Sequence, residues 1–236
     1  MNKIYHPESE RGFADHEWLV ARHSFSFAGW YSPEKVHFGK LRVLNDDIVQ
    51  PGQGFGTHPH DNMEIVTIPL KGSLAHKDSM GHEEIIKTNE VQVMSAGTGI
   101  LHSEFNPSNT DLVNLLQIWV FPDKKGHTPR YNQKFFDPIK RKNKFQTIVS
   151  PSKDDGSLWL NQNAYFSLCD LDKNNSVSYK IHSKGNGLYI FNIEGKINID
   201  EQDLNRRDAL GIWEVEKVEI SAEETSFFLI IEVPMN

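Results

Sequence analysis

Cysteine, long apolar runs and helical periodicity are all scarce in this sequence of 236 residues. Its one cysteine, Cys169, cannot form an internal disulfide, which is typical of proteins in a reducing compartment. Because Cys169 follows an apolar strand-like run at residues 164–168, we expect it to pack in the interior. No apolar run approaches the roughly 18 residues of a membrane span, and the N-terminus has no hydrophobic signal region. We therefore expect a soluble, cytoplasmic protein with no membrane partner.

Basic clusters are scarce as well. The chain has 25 lysines and arginines against 32 aspartates and glutamates, which gives a formal net charge of −7. Its densest cationic run is residues 140–144, which we interpret as a solvated linker. A protein that binds nucleic acid needs a cationic surface to neutralise phosphates, so we expect no nucleic-acid partner.

Short runs of β-branched and aromatic residues recur between clusters of Gly, Pro, Asn and Asp, a pattern typical of all-β proteins. The stretch from Pro122 to Lys144 differs, because it has three prolines, many charges and few aliphatic residues. It indicates a linker between two β domains. We place the first domain at residues 1–125 and the linker with the second domain at residues 126–236. The clearest strand-like runs are residues 40–44, 64–68, 91–94, 115–121, 188–193 and 227–231.

A faint internal repeat favours this division. Residues 58–74 align with residues 182–197, which places His58 against His182, His60 against Lys184 and Glu64 against Leu188. A protonated lysine cannot bind a metal, so a true repeat means that the second half kept the scaffold and lost the ligands. Chance similarity between β segments is the alternative.

The residues with the clearest chemistry are two pairs, His58 with His60 and His102 with Glu104. Residues two apart on a strand point to the same face, and each pair follows a glycine-rich approach. Two such pairs about 40 residues apart favour a metal site over a polar loop patch. Glu64 has the same parity as the first pair, so spacing alone leaves Glu64 and Glu104 as alternative carboxylate ligands. Imidazole and carboxylate ligands suit iron, copper, nickel or zinc.

The spacing also resembles the paired motifs of the cupin superfamily, metal-binding β proteins. The first motif runs through Gly52, His58, His60 and Glu64, and the second runs through Gly97, Gly99, His102 and Asn106. Two departures are a glycine, Gly97, where that superfamily usually has proline, and one extra residue between Glu64 and Gly72.

More specifically, most of residues 11–131 resembles the pirin family. That resemblance implies an all-β bicupin, two jelly-roll-like β-barrel domains in one chain, of which only the first binds metal. It also implies that His58, His60, His102 and Glu104 are the ligands and that Glu64 is not one. The stretches that carry the resemblance are residues 11–16, 23–28, 41–47, 54–60, 63–67, 94–104 and 128–131.

The length suits the bacterial quercetinases of this family, so the resemblance implies quercetin 2,3-dioxygenase activity. In this chemistry O2 opens the heterocyclic ring of a flavonol with release of carbon monoxide. We expect one divalent transition metal per chain, with iron first and copper, nickel or zinc as alternatives. Glu104 is then both a ligand and the base for the substrate 3-hydroxyl. We expect a monomer whose partners are a flavonol and O2.

A flat polyphenol needs an apolar slot, and five residues in segments that border the expected site are candidates. Each has core packing as its alternative role. They are Phe25, Phe27, Phe38, Phe55 and Met94.

Two other functions are consistent with the same motifs. In the first, the chain is a metal-bound regulatory or redox-sensing protein that acts through protein partners, as pirin itself does. In the second, it is a catalytically silent scaffold whose metal is structural, and removing the metal would then strongly destabilise the fold.

Overall fold

The computed structural model describes residues 1–236 and is almost entirely β-structure, with two short 3₁₀ helices at Glu8–Glu10 and Pro138–Arg141. None of its helices has the length and apolar character needed to cross a membrane. The first twelve strands are β1 (Asn2–His6), β2 (Gly12–Asp15), β3 (Leu19–His23), β4 (Leu41–Val49), β5 (Gly54–His60), β6 (Glu64–Lys71), β7 (Ser73–Asp78), β8 (Glu83–Lys87), β9 (Glu90–Ser95), β10 (Ile100–Phe105), β11 (Val113–Val120) and β12 (Arg130–Phe135).

The second half of the chain forms a further ten strands. They are β13 (Gln146–Ser150), β14 (Leu158–Trp159), β15 (Tyr165–Leu171), β16 (Ser176–Lys180), β17 (Asn186–Glu194), β18 (Ile197–Ile199), β19 (Gln202–Leu204), β20 (Ala209–Trp213), β21 (Lys217–Ala222) and β22 (Ser226–Pro234).

Two domains result, each with one seven-stranded and one four-stranded sheet. The first domain has the strand orders β12-β9-β6-β11-β4-β3-β2 and β5-β10-β7-β8. The second has the orders β1-β20-β17-β22-β15-β13-β14 and β16-β21-β18-β19. The sheets are jelly-roll-like and do not close into barrels. The prediction of an all-β bicupin is confirmed.

Apart from the edge strands of the seven-stranded sheets, the two strand orders match position by position, so the repeat exists at the level of topology. The alignment proposed from the sequence is displaced, however. In the structure His182 lies beyond the end of β16. Val177 of β16 lies opposite Ile220, as His58 of β5 lies opposite His102, so strand order and register match His58 with Val177. The displacement arises because the turn after β16 is longer than the turn after β5.

Two edge strands cross the expected domain division. The N-terminal strand β1 pairs with β20 of the second domain, and β12, which lies within the predicted linker, pairs with β9 of the first. Each seven-stranded sheet therefore has one edge strand that comes from the part of the sequence assigned to the other domain. This strand covers an edge that would otherwise be open to pairing with another chain. The division at residues 125 and 126 stays a prediction, and these two strands do not follow it.

The largest apolar cluster, of 26 buried residues, takes members from both seven-stranded sheets, so these sheets pack face to face. Tyr189 and Phe191 of β17 point into this interface, while Leu188 and Ile190 point into the second domain. Strands buried on both faces need continuous apolar runs, which is the pattern that the sequence showed at residues 188–193. Burial of one such side chain contributes about 1.5–3 kcal/mol relative to exposure, so this shared cluster stabilises the contact between the two domains.

The interiors of the domains differ. The second domain contains one cluster of 15 buried apolar residues, and Cys169 packs within it as expected. The first domain contains two separate clusters, of seven and four residues. Polar side chains occupy the space between these two clusters.

Candidate metal centre

Three histidines meet on the four-stranded sheet of the first domain. His102 of β10 lies directly opposite His58 of β5, and His60 lies opposite Ile100. The imidazole centroids are 4.4 Å apart for His58 and His102, and 4.8 Å apart for the other two pairs. One nitrogen from each ring lies within 4.8 Å of the other two, a geometry that one ion can bridge.

An irregularity in strand pairing follows His102. The register shifts between His102 and Glu104, so that Glu104 lies opposite Phe55. The extra residue on β5 lies between Phe55 and His58, within the glycine-rich segment that precedes the first histidine pair. A β-bulge at this point explains part of the glycine content of the segment. Gly54 is required there, because a Cβ atom would lie 2.2 Å from the carbonyl oxygen of Glu104.

Glu104 belongs to a second, fully buried group with His76 and His102. Its Oε2 atom accepts a hydrogen bond of 3.0 Å from the amide of Gln117, and its Oε1 atom has no partner. The structure thus brings His58, His60 and His102 into one group, and Glu104 into a second group that shares His102.

Glu64, the rival carboxylate, is fully engaged elsewhere. It accepts hydrogen bonds from Ser95 Oγ at 2.8 Å and from the backbone and side-chain amides of Asn161 at 3.2 and 3.0 Å. The sequence pattern placed Glu64 on the same strand face as His60, but the turn at Asn62, with a φ of +46°, separates the two residues. His60 ends β5, and Glu64 begins β6 in the other sheet. Glu64 therefore serves the contact with the second half of the chain.

Burial sets the protonation of these groups. Desolvation, together with the neighbouring His58, lowers the pKa of His60 to about 4. Desolvation and the nearby histidines lower the pKa of His102 to about 3. Neutral imidazoles with free lone pairs are the form that binds a metal. Desolvation raises the pKa of Glu104 to about 7, and a nearby cation would favour its ionised form.

These residues fit a bound transition metal. The Nε2 atom of His102 and the Oε1 atom of Glu104 are both buried without a hydrogen-bond partner. Buried polar atoms without partners are unfavourable, and two of them that face a cluster of imidazoles are explained by a cation. The combination of nitrogen and carboxylate donors suits a first-row divalent ion.

Sequence reasoning missed the polar layer that supports the centre, which consists of Thr67, Gln92 and Gln117 on the interior face of the seven-stranded sheet. Thr67 donates to Gln117 at 2.9 Å, Gln117 donates to Glu104, and Gln92 donates to His76 at 3.1 Å. The sequence did contain a sign of this layer, because each of three otherwise apolar strands has one polar residue at an inward-facing position.

Sequence reasoning also missed His76 and Trp119. His76 has the same parity on β7 as buried Leu74 and Asp78, and this pattern could have marked it as inward-facing. The indole of Trp119 lies 4.9 Å from His60 and edge-on to Phe27 at 5.3 Å, measured between ring centroids.

The five candidate substrate residues lie in different surroundings. Phe27 borders the centre through Trp119, and Met94 is buried in the small cluster that Trp119 covers. Phe55 packs edge-on against Trp18 at 5.2 Å. Phe25 and Phe38 lie in the interface between the domains, where both contact the ring of Tyr189.

A cavity of about 480 Å³ opens beside His60. Its volume falls in the usual range for small-molecule sites, roughly 300–1,000 Å³. The loop between β9 and β10 forms one wall, and Gly97 within it has a φ of +49°, a conformation that proline cannot adopt. The other lining residues are Pro59, Asp61, Ser79, Thr98, Gly99, Ile100 and Leu101.

Two jelly-roll-like domains, with clustered histidines and a glutamate in the first, define a bicupin. The Pirin family model matches residues 6–120, and the model described as the quercetinase C-terminal cupin domain matches residues 147–233. The quercetin 2,3-dioxygenase of Escherichia coli (strain K12) is 42% identical over 226 residues, which cover 96% of both chains. The chain belongs to the pirin family.

Two further similarities agree with this assignment. A pirin-like protein of Caulobacter vibrioides is 35% identical over 227 residues, covering 96% of this chain and 97% of that protein. The crystal structure of the bacterial pirin YhhW from Escherichia coli in complex with nickel(II) superposes with a TM-score of 0.94 at 39% identity, over 100% of both chains.

Proposed function

We propose that this protein is a metal-dependent dioxygenase that opens the heterocyclic ring of flavonols such as quercetin with O2 and releases carbon monoxide. The observation that supports this most directly is the cluster of His58, His60 and His102, whose ligand atoms lie within 4.8 Å of one another beside an open cavity. The similarity to a protein named quercetin 2,3-dioxygenase supports the choice of substrate.

The proposed ligands are His58, His60, His102 and Glu104, with one divalent ion per chain. Glu104 would bind the ion through its Oε1 atom, which is buried and has no hydrogen-bond partner. We place iron first, with nickel, copper and zinc as alternatives, because this donor set accepts all four. The nickel(II) complex of the similar protein YhhW supports a divalent ion as the bound species.

The bound ion would lower the pKa of the flavonol 3-hydroxyl and offer open coordination positions to the reactants. The residues of the chain then handle the proton. Burial alone raises the pKa of Glu104 to about 7, and the bound ion would lower it, so that Glu104 would be an ionised carboxylate able to act as a base at neutral pH. Gln117 holds Oε2 of the same carboxylate at 3.0 Å, so Oε1 is the atom that would have to leave the ion in order to take the hydroxyl proton.

The cavity beside His60 would hold the aromatic body of the substrate. Trp119 and Phe27, at an angle of 86° to each other, form an apolar wall next to His60. Aromatic rings gain from stacked or edge-on contacts, so a flat polyphenol is a suitable occupant. Among the five candidates from the sequence, Phe27 is the one that we assign to this wall, whereas Met94 is fully buried in the cluster that packs against Trp119.

The test combines elemental analysis of the purified protein with an oxygen electrode and carbon monoxide detection, using quercetin. We expect steady O2 uptake with release of carbon monoxide, lost in His58→Ala and His102→Ala. His182→Ala is the matched control, because that histidine lies in the second domain and bonds Glu232 at 2.8 Å. Stoichiometric metal with no turnover of any flavonol would contradict the proposal and favour a regulatory or redox-sensing protein.

A further inference from the structure

A chain of buried polar groups runs from the candidate metal ligand His102 to the protein surface. The Nδ1 atom of His102 lies 3.5 Å from Nδ1 of His76, and Nε2 of His76 lies 3.3 Å from Oδ2 of Asp78. Asp78 in turn contacts Nδ1 of His82 at 2.9 Å, and the His82 side chain is 38% exposed. His76 and Asp78 are both fully enclosed side chains.

The hydrogen bonds in this chain determine which nitrogens carry protons. Asp78 is an acceptor, so the Nε2 atom of His76 must carry a proton to donate to it. The Nδ1 atom of His76 therefore has one lone pair, which accepts from the Gln92 amide at 3.1 Å and is shared with Nδ1 of His102 at 3.5 Å. An N–H at Nδ1 of His102 then faces that lone pair, and the Nε2 atom of His102 keeps its own lone pair free.

The free lone pair lies where an ion needs it. Nε2 of His102 is buried without a partner, and His102 belongs to the group of three histidines. In water, the Nε2–H form of histidine competes with the Nδ1–H form, so the protein has to select the latter. The partner of the distal ring nitrogen commonly makes this selection at metal sites.

Tyr131 holds the chain in place. Its ring stacks on His76 at 4.8 Å with an interplanar angle of 30°, and on His82 at 4.8 Å with an angle of 22°. Tyr131 belongs to β12, the edge strand that arrives from beyond the first domain. Stacking on one rigid ring limits the rotation of both imidazoles.

We propose that His76, anchored by Asp78, is a positioning residue that selects the Nδ1–H form of His102 and thereby directs its Nε2 lone pair to the ion. This inference rests on the metal centre of the proposed function. It assigns a role to two buried residues that neither line the cavity beside His60 nor belong to the group of His58, His60 and His102.

The first experiment measures zinc affinity of the full-length chain by competition with a chromophoric chelator. We expect His76→Phe and Asp78→Asn each to weaken binding about 10–100-fold. His76→Phe keeps a ring to stack on Tyr131, and Asp78→Asn keeps the shape of the carboxylate. The matched control is His127→Gln, because His127 bonds Asp123 at 2.6 Å in a histidine–carboxylate pair away from the centre.

A second experiment observes the proton directly. Long-range ¹H–¹⁵N correlation on the full-length protein with labelled histidine, after chelation, should show His102 as the Nδ1–H form in the wild type. The Asp78→Asn and His76→Phe variants should shift it towards the Nε2–H form, while His127→Gln should not.

Three results would overturn the inference. One is an unchanged form of His102 in both variants. Another is a lower melting temperature with unchanged zinc affinity, which would show a purely structural role. The third is a wild type that binds no zinc and no other divalent ion, which would remove the metal centre and the proposed function together.

Discussion

The two domains share a strand topology but differ in what fills the interior. In the second domain one apolar cluster of 15 residues spans the space between its sheets. In the first domain the polar layer separates two smaller clusters. By strand order and register, Thr67, Gln92 and Gln117 of the polar layer correspond to Ile190, Leu210 and Ile230.

The same correspondence extends to the ligands. His102 and Glu104 on β10 match Ile220 and Ala222 on β21, which face inward at the same places. His76 matches Ile197 in the same way, since it lies opposite Glu104 as Ile197 lies opposite Ala222. One scaffold thus supports either a dry core or a metal centre, and inward-facing residues of the two sheets decide which. The remaining pairs are His58 with Val177 and His60 with Tyr179.

The largest expected effect comes from removing the ligand that both histidine groups share. His102→Ala should weaken divalent metal binding more than about 100-fold, since loss of a supporting residue alone costs about 10–100-fold. O2 uptake with quercetin should fall with it. Chelator competition and the oxygen electrode measure both, and metal binding at wild-type strength would show that the centre lies elsewhere.

The corresponding change in the second domain should lower the stability of the protein and leave its metal binding unchanged. Ile220→Ala leaves a cavity in a packed apolar cluster, so the free energy of unfolding should fall by about 2–5 kcal/mol. Metal content should stay at the wild-type level. Urea denaturation and elemental analysis test this, and loss of metal in Ile220→Ala would mean that the interiors are not independent.

The pH dependence of the metal-free protein separates the two kinds of buried group. Glu104 has a raised pKa of about 7 against an ordinary 4.5, so its contribution to stability is present below pH 4.5 and is lost as the pH rises through 7. His102, with its pKa lowered to about 3, contributes above pH 6.5 and loses that contribution as the pH falls towards 3.

Glu104→Gln isolates the first of these effects. Between pH 4.5 and 7 the wild type should lose stability relative to the variant by up to about 1.4 kcal/mol per pH unit. Urea denaturation of both proteins across this range measures the difference. A parallel pair of stability curves would show that Glu104 is not desolvated as the structure indicates.

The smallest effect is expected when the polar layer is made to resemble the second domain. Thr67→Val with Gln117→Leu removes both partners of one hydrogen bond but also takes away the donor to Oε2 of Glu104, so the free energy of unfolding should fall by about 1–3 kcal/mol. Metal affinity should fall about 10-fold, because Glu104 loses the amide that orients it. Calorimetry and chelator competition measure the two quantities, and an unchanged affinity would show that Gln117 does not orient the carboxylate.

Much of the first domain could be predicted from local patterns. Short runs rich in β-branched residues predicted the strands, and the i, i+2 spacing predicted that His58 shares a face with His60 and that His102 shares a face with Glu104. Strand geometry makes this inference safe, because side chains alternate with a strict period of two. The same rule failed for Glu64, because the turn at Asn62 interrupts the strand between His60 and Glu64.

The sequence by itself determined the strand-rich fold, the buried Cys169 and the common face of each ligand pair, His58 with His60 and His102 with Glu104, since these follow from local periodicity and spacing. Only the tertiary structure decided that Glu104 rather than Glu64 has a free carboxylate oxygen beside the histidines, that His76 supports His102, and that β1 and β12 cross between the halves of the chain. These contacts join residues on strands whose register depends on the packing of whole sheets, and no local pattern specifies that packing.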